Sequence, residues 1–407
     1  MRELALSSSQ PNLVLDSPLP RCCPERGRGH SIMKTRAMLL TLALPSLALA
    51  QEHTVQIQAQ KGQSLRTKIE SSSESTGSTT TMINGEERGG GGGDRTSSAK
   101  QTIEFDEKVL DANEKGLATK VQRTYTKLSG SMTMPGRDGE DMEIEIEGAL
   151  EGKKLFLAQD GDKVVAQEND EDGAALEERL ARGLKVRTDV MGLLPEKAVA
   201  VGAEFDLSKS LRSAMANLQH PMARAAQAEE GGDAAGGGRG GRGGRGQGGF
   251  GGRMGGGMQG NEGLGYLMNE KLTLEANGKL EGVSEGLATI SFKAKASGEG
   301  NPADLGVGMT GGMGGRGGRG GRGGEQGGQA PAVEGKANVE CTVEGKLVVD
   351  LAKKCIVSLE IEGEFEMDAE TSMTREGRDG ESMDIETSME RSGSFNLKVA
   401  VSEAKSD

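Results

Sequence analysis

The sequence predicts a mainly β protein with antiparallel curved sheets, arranged as two related halves or as one composite sheet. Two short helices and long disordered glycine-rich segments complete the prediction. Three observations support it: apolar and charged residues alternate with a period of two, turn-forming dipeptides separate the alternating stretches, and glycine tracts interrupt them. Because successive side chains of a strand point to opposite faces, this alternation is typical of an antiparallel sheet with one buried face.

The alternation is clearest in residues 142–147 and 359–367. In both segments apolar residues occupy one parity and glutamates the other, so each is predicted to be a strand with one solvated face. The glutamates in question are Glu143, Glu145, Glu147, Glu360, Glu362 and Glu364. Hairpin turns are predicted at Asp138-Gly139, Asp160-Gly161 and Asp379-Gly380.

Two stretches predict helices. Residues 174–184 space Leu176, Leu180 and Leu184 four apart, which places them on one helical face. Residues 208–218 begin with Ser208, a residue type that caps helix N-termini, and Pro221 follows the predicted end.

Residues 33–50 predict an export signal. A positively charged start precedes a short apolar run, and small residues flank Leu49 as a signal peptidase requires, so cleavage is expected between Ala50 and Gln51. The apolar run is shorter than the roughly 20 residues that cross a bilayer. We therefore expect a periplasmic or extracellular protein that does not span a membrane after cleavage. Residues 1–32 show no periodicity and are interpreted as an over-extended translation start.

Long glycine tracts divide the predicted mature chain. Residues 51–230 form a first β-rich unit, 231–263 a glycine- and arginine-rich linker, and 264–407 a second β-rich unit with a similar insertion at 306–328. Glycine has no side chain to bury, so these tracts are predicted to be disordered spacers. Their arginines are also candidate contacts for a polyanion such as an envelope polysaccharide. These candidates are Arg239, Arg242, Arg245, Arg316, Arg319 and Arg322.

An internal repeat links the two units. Residues 131–145 and 372–386 agree at eleven of fifteen positions, including a shared Gly-Arg-Asp-Gly-Glu turn. Agreement this close predicts equivalent hairpins in both units.

Composition and residue types argue against several classes of function. The net charge of −13 disfavours general nucleic-acid binding, which depends on neutralising phosphates. After cleavage only His53 and His220 remain, one at an expected frayed terminus and the other at a helix exit, so neither is a good catalytic base. Residues 168–173 resemble the start of a calcium-binding loop, but Arg179 stands where the bidentate Glu should be. We expect that segment to be a polar loop capping the first helix.

Two cysteines, Cys341 and Cys355, follow the predicted cleavage site. If residues 346–351 and 355–361 form a hairpin, Cys341 lies roughly seven residues along the strand from the partner position of Cys355. Two buried thiols are then at least as plausible as a disulfide, and the sequence leaves both alternatives open.

Residues 193–205, LLPEKAVAVGAEF, resemble a short motif of uncharacterised exported β-rich proteins from planctomycete-type bacteria. The region from Gly335 to Leu359 is also similar, while Phe205 replaces the Trp often found in that motif. The resemblance implies a β-rich exported fold of unknown function and carries no catalytic residues.

The sequence as a whole favours an exported non-enzymatic envelope or extracellular protein of structural or interaction type. A carrier that holds an apolar ligand on a curved sheet beneath the helices is the alternative, and polyanion binding through the arginines is another. An enzyme that uses carboxylates ranks last. No catalytic, cofactor-binding or metal-binding residues are assigned, no cofactor is expected, and the partner is left open.

Overall fold

The computed structural model describes residues 51–87, 94–136, 140–161, 163–181, 183–188, 190–218, 262–302, 304–305, 307, 334–376 and 382–404. The predicted export signal, most of both long glycine tracts and the Asp138-Gly139 and Asp379-Gly380 turns lie outside these residues.

Strands dominate the described residues. The first eight are β1 (Glu52–His53), β2 (Ser64–Ile83), β3 (Glu86–Glu87), β4 (Arg95–Ala112), β5 (Ala118–Pro135), β6 (Asp141–Glu147), β7 (Lys154–Asp160) and β8 (Lys163–Glu168). The others are β9 (Val199–Ala200), β10 (Glu204–Asp206), β11 (Thr273–Ser284), β12 (Leu287–Gly300), β13 (Glu334–Asp350), β14 (Cys355–Glu376) and β15 (Ser382–Glu403). The helices are α1 (Glu178–Ala181), α2 (Leu211–Asn217) and α3 (Glu262–Met268), with a 3₁₀ turn at Met191–Leu193.

Thirteen of the described strands form one antiparallel sheet, which confirms the predicted class. Its order is β10-β11-β12-β13-β14-β15-β2-β4-β5-β7-β8, with β3 beside β2 and β6 beside β5, while β1 and β9 pair separately. The last strand, β15, pairs with the first long strand, β2, from Glu403↔Leu65 to Ile385↔Ile83. The strands of the two predicted units therefore belong to one composite sheet.

The repeated segments form the expected pair of equivalent hairpins. Ser131 pairs with Glu145 across β5 and β6, and Ser372 pairs with Glu386 across β14 and β15. The remaining described positions of the two repeats follow the same register. The predicted turn at residues 160–161 also joins two paired strands, β7 and β8.

Both predicted helices are shorter than expected. Before α1, Ala175 forms a bridge to Gln167 and the N–H of Leu176 donates to the Ala166 carbonyl (2.9 Å), so residues 174–176 extend the sheet. The prediction that Ser208 caps the second helix is wrong. Its hydroxyl accepts the N–H of Ala276 (2.9 Å), an edge position of β11.

Helix α3 is an addition to the two predicted helices, and it spans the expected boundary at residues 263–264 between the linker and the second unit. Its Gly263 allows close packing on the sheet, since a Cβ there would lie 2.2 Å from the ring of Phe395. Tyr266 of the same helix packs on Phe365, with ring centroids 5.5 Å apart.

One face of the sheet is buried beneath a layer that we call the cover, which comprises residues 177–181, 183–188, 190–198 and 207–218 together with α3. Leu180, Leu193 and Leu211 of the cover belong to the same buried apolar cluster as Leu280 and Leu359 of the sheet. The opposite face carries cross-strand ion pairs and exposed acidic residues, and the six predicted glutamates are all exposed. The expectation of one solvated face is confirmed for residues 359–367, whereas Met142 and Ile144 of β6 are exposed as well as its glutamates.

Phenylalanines fill the core by lying over glycines of neighbouring strands. Phe365 stands directly opposite Gly393, and Phe395 directly opposite Gly363. A Cβ at Gly363 would lie 2.4 Å from the Phe395 ring, and one at Gly393 would lie 2.7 Å from the Phe365 ring. The absent side chains therefore make room for the rings in a core with few aromatics.

Candidate functional site

A charged cluster lies inside the core where the sheet meets the cover. Arg123 of β5 is directly opposite Glu107 of β4, and both residues have the parity of the buried face. The Arg123 side chain is 0% exposed and that of Glu107 is 13% exposed. The guanidinium carbon also lies 4.7 Å from the centre of the Phe105 ring, within the range of a cation–π contact.

Every N–H of the Arg123 guanidinium has an acceptor. Nε and Nη2 donate to the Glu107 carboxylate, with an Nε–Oε2 distance of 2.8 Å. Nη1 donates to the Tyr125 hydroxyl (3.4 Å) and to the Lys185 carbonyl (3.0 Å), and Nη2 also donates to the Val186 carbonyl (3.3 Å). Because its five N–H groups all form hydrogen bonds, to four acceptor atoms, this cation fastens the cover to the sheet and has no donor left for a ligand.

Burial by itself lowers the pKa of the Arg123 guanidinium, since it penalises the charged form. The charge of Glu107 and the contacts with Tyr125 outweigh that effect and raise the pKa above its ordinary value. Arg123 is therefore cationic in the folded protein.

Sequence reasoning missed this cluster, although a signal was present. Arg123 lies between Val121 and Tyr125, all of one parity, so the period-two pattern already places a cation on the buried face. The pattern did not show its partner, because the pairing of β4 with β5 had to be known first.

A cavity of about 90 Å³ lies beside this cluster, between the cover and the end of the sheet. It is half open to solvent. Its walls are largely aliphatic and include Ile57, Ile69, Val109, Met191, Leu218 and Val399. Its polar lining includes Thr67, Glu107, Arg187, Thr188 and Lys354.

Two of the charged groups at the cavity are engaged within the protein. Glu107 holds Arg123, and Nζ of Lys354 donates to Oε1 of Gln58 (2.9 Å). The backbone repeats this link, since the N–H of Gln58 donates to the Lys354 carbonyl (2.8 Å). The cavity therefore offers mainly aliphatic surface to a ligand.

Both described cysteines are free and buried. Cys341 of β13 lies opposite Phe365, and Cys355 lies opposite Asp350 of β13. Asp350 is nine residues along β13 from Cys341 (350 − 341), whereas an offset of about seven was expected. Burial raises the pKa of the Cys341 thiol to about 12, and it also raises the pKa of Cys355. Neither sulfur is an activated nucleophile, because the thiolate is the reactive form.

His53 and the acidic loop at residues 168–173 lie in structural settings different from those predicted. His53 is not frayed, since it pairs with Val199 in the short β1–β9 ladder. The acidic loop at residues 168–173 does not cap a helix: the chain continues as sheet, and Lys153 and Lys120 pair with Glu168 and Glu171. In the described ranges, no group of three or more His, Cys, Asp or Glu residues could hold a metal ion.

Gln51 is the first described residue and is exposed, while Ala50 and His220 lie outside the described residues. The six arginines proposed to contact a polyanion also lie outside them, so that contact stays a prediction.

No protein-family model and no curated protein matches the chain. Among solved structures, the chain is similar to the outer membrane protein OprG from Pseudomonas aeruginosa, with 6% identity, a TM-score of 0.17, and coverage of 86% of this chain and 100% of that chain. It is also similar to OccK7 (OpdD) from the same organism, with 8% identity, a TM-score of 0.19, and coverage of 82% and 98%. At these TM-scores neither likeness bears on function. The resemblance of residues 193–205 to planctomycete-type exported proteins stays a prediction.

No helix in the described part of the chain has the length and apolar character needed to cross a membrane.

Proposed function

We propose that this chain is an exported, non-enzymatic protein of the cell envelope or extracellular space that serves as a structural or interaction scaffold. The length of its strands is the observation that carries this proposal. β14 and β15 each contain 22 residues, and β2 contains 20. At about 3.4 Å per residue a 22-residue strand spans about 75 Å, whereas strands are usually about 3–10 residues long.

The way the core is filled supports the same function. Phenylalanine rings occupy the space over Gly363 and Gly393, and Arg123 has all its donors bonded. The part of the sheet that is packed under the fastened cover resists deformation, because packed interiors are nearly incompressible. A long sheet with a rigid packed region suits a protein that holds partners apart or together.

Expression of the tagged chain in its source cells tests this proposal. Fractionation should place it outside the cytoplasm, and cross-linking with mass spectrometry should recover envelope or extracellular partners. Purified protein should leave ester, peptide, phosphate and glycoside substrates at background. A cytosolic product that retains residues 1–50, or a turnover abolished by replacing one carboxylate, would refute it.

The cavity favours a second candidate function, the carriage of an apolar ligand. Its aliphatic lining suits an alkyl chain, but its volume of about 90 Å³ is small. Ligand pockets usually measure about 300–1,000 Å³, and an apolar cavity of about 150 Å³ holds benzene. The cavity as it stands accommodates only a short chain, so a larger ligand would need the cover to move.

Native mass spectrometry and solvent extraction of gently purified protein test the carrier. A bound lipid that Leu218→Trp displaces would favour it, because the indole would fill the cavity. Val165→Trp is the matched control, since Val165 is exposed on β8 and does not line the cavity. A ligand-free protein, or equal effects of both variants, would exclude this function.

A further inference from the structure

Among the described residues, β6 pairs with β5 along one edge and has no strand along its outer edge. β7, which also pairs with β5, has β8 along its other edge, and Ala175 in turn bridges to Gln167 of β8. An unpaired edge presents a row of backbone donors and acceptors that can accept another strand.

Two hydrogen bonds at the ends of the β5–β6 ladder establish which backbone groups face outward. The N–H of Gly136 donates to the Glu140 carbonyl (2.8 Å), and the N–H of Gly148 donates to the Leu128 carbonyl (2.9 Å). Hydrogen-bonded and non-hydrogen-bonded pairs alternate along an antiparallel ladder. The even-numbered residues of β6 therefore bond to β5, and the odd-numbered residues direct their N–H and C=O groups to the outer edge.

In the second hairpin of the internal repeat, the edge of β15 that is equivalent to the outer edge of β6 pairs with a strand, β2. There Ile385 of β15 pairs with Ile83 of β2. The N–H of Asn84 donates to the Asp384 carbonyl (2.8 Å), and the N–H of Asp384 donates to Oδ1 of Asn84 (2.9 Å). Asp384 occupies the repeat position of Glu143, since 384 − 143 equals the offset of the repeat, 372 − 131. The repeated motif thus already binds a strand at this edge once.

Exposure differs between the two hairpins at equivalent apolar positions. Ile385 is 4% exposed, whereas Ile144, which occupies the same repeat position, is 36% exposed. Met142 of β6 is 48% exposed. An added strand would lie beside these side chains and remove part of that apolar surface from water.

Charge determines which strand fits. Glu143, Glu145 and Glu147 line one face of β6, and all three are exposed. A second copy of β6 in antiparallel register would place glutamates opposite glutamates, and like charges directly opposite each other destabilise a sheet. A strand with Lys or Arg at alternate positions would instead form cross-strand ion pairs with this row.

We propose that the outer edge of β6 binds an extended basic segment of another protein as an added antiparallel strand. Alternate cationic side chains face the glutamate row, and the side chains between them lie beside Met142 and Ile144. This inference rests on the proposed function as an interaction scaffold and names its partner class.

A titration with dye-labelled peptides tests the edge. The probe is an acetylated peptide of sequence Thr-Lys-Val-Lys-Val-Lys-Thr, followed by fluorescence anisotropy with the purified chain. Two control peptides are titrated in the same way. One has Glu in place of Lys, and the other is the basic peptide N-methylated at alternate residues. The basic probe should bind, the acidic probe should not, and N-methylation should abolish binding because it removes the backbone donors.

Variants of β6 locate the binding. Glu145→Pro removes an outward N–H and leaves the β5 ladder intact, so it should weaken the basic probe about tenfold, the effect of about 1.4 kcal/mol. Glu145→Lys should also weaken it. Glu386→Lys changes the same charge at the equivalent repeat position, where β2 covers the edge, and should leave binding unchanged. Far-UV circular dichroism should show that each variant is folded.

Equal losses in Glu145→Lys and Glu386→Lys would mean that bulk charge attracts the probe, and would overturn the proposal. So would undiminished binding of the N-methylated peptide, or a dimer of the chain that Glu145→Pro dissociates. The titration uses purified protein, so it can fail while the exported location stands. The location can likewise be refuted while the titration succeeds.

Discussion

Arg123→Met should destabilise the protein strongly, because it removes the cation that joins the sheet to the cover. Methionine keeps much of the side-chain volume but makes none of the five hydrogen bonds of the guanidinium. Two of these bonds go to the Glu107 carboxylate, two to carbonyls of the cover and one to the Tyr125 hydroxyl. Breaking a buried ion pair costs about 3–5 kcal/mol, since the remaining charge stays buried without a partner. Glu107 is 13% exposed and regains some water, so we expect the lower end, about 3 kcal/mol.

Urea unfolding followed by far-UV circular dichroism measures this loss through the midpoint and slope of the transition. The melting temperature should fall by about 6–12 °C, at about 2–4 °C per kcal/mol for a domain of this order of size. Adding Glu107→Gln to Arg123→Met should restore about 1–2 kcal/mol, because it removes the unpaired charge.

Arg66→Met is the matched control. Arg66 also pairs directly with a carboxylate on the adjacent strand, Asp106, at 2.7 Å, but both side chains are partly exposed. Exposed pairs contribute about 0–1 kcal/mol, so this variant should unfold nearly as the parent does. If Arg123→Met loses no more stability than Arg66→Met, the role assigned to the buried cluster is wrong.

Three further outcomes are expected. Gly363→Ala should lower the free energy of unfolding in urea by about 2–3 kcal/mol, because its Cβ would lie 2.4 Å from the Phe395 ring. Gly282→Ala should be nearly neutral, because its Cβ meets nothing within 4 Å, and similar losses in the two variants would contradict the packing of Phe395 over Gly363. Burial raises the pKa of Cys341 from 9.0 to about 12, so the stability gained from keeping the thiol neutral is present below pH 9 and lost as the pH rises to about 12. Between pH 9 and about 12, Cys341→Ala should therefore lose less free energy of unfolding than the parent. Parallel profiles of stability against pH for the two proteins would contradict the burial of the Cys341 thiol. Intact-mass analysis should show an exported chain that begins at Gln51, and a cytosolic product that retains the residues before it would contradict export.

The period-two pattern of the sequence predicted the strands at residues 142–147 and 359–367, because side-chain direction in a strand is a local property of the backbone. The Asp160-Gly161 dipeptide predicted the turn between β7 and β8. The internal repeat predicted equivalent hairpins, since both copies contain the same turn residues, and the two hairpins share one register. Ser131 pairs with Glu145 as Ser372 pairs with Glu386.

Helix lengths were predicted less well. The spacing of Leu176 and Leu180 fits a helix, but the backbone of Leu176 bonds to Ala166 instead and joins the sheet. Both leucines are buried in the observed arrangement. A sequence pattern reports which side chains are buried, and competing backbone hydrogen bonds determine how far a helix extends.

The sequence by itself determined that the chain forms antiparallel strands with one apolar and one acidic face. The tertiary structure alone decided which strands are neighbours, because alternation is the same whatever strand lies alongside. That choice joins β15 to β2 in one sheet and places Glu107 beside Arg123. It also covers one repeated hairpin edge, whereas no described strand lies along the edge of β6. The β15–β2 pairing connects residues about 300 apart in the chain, as the hydrogen bond between Asp384 and Asn84 shows, so no local pattern contains it.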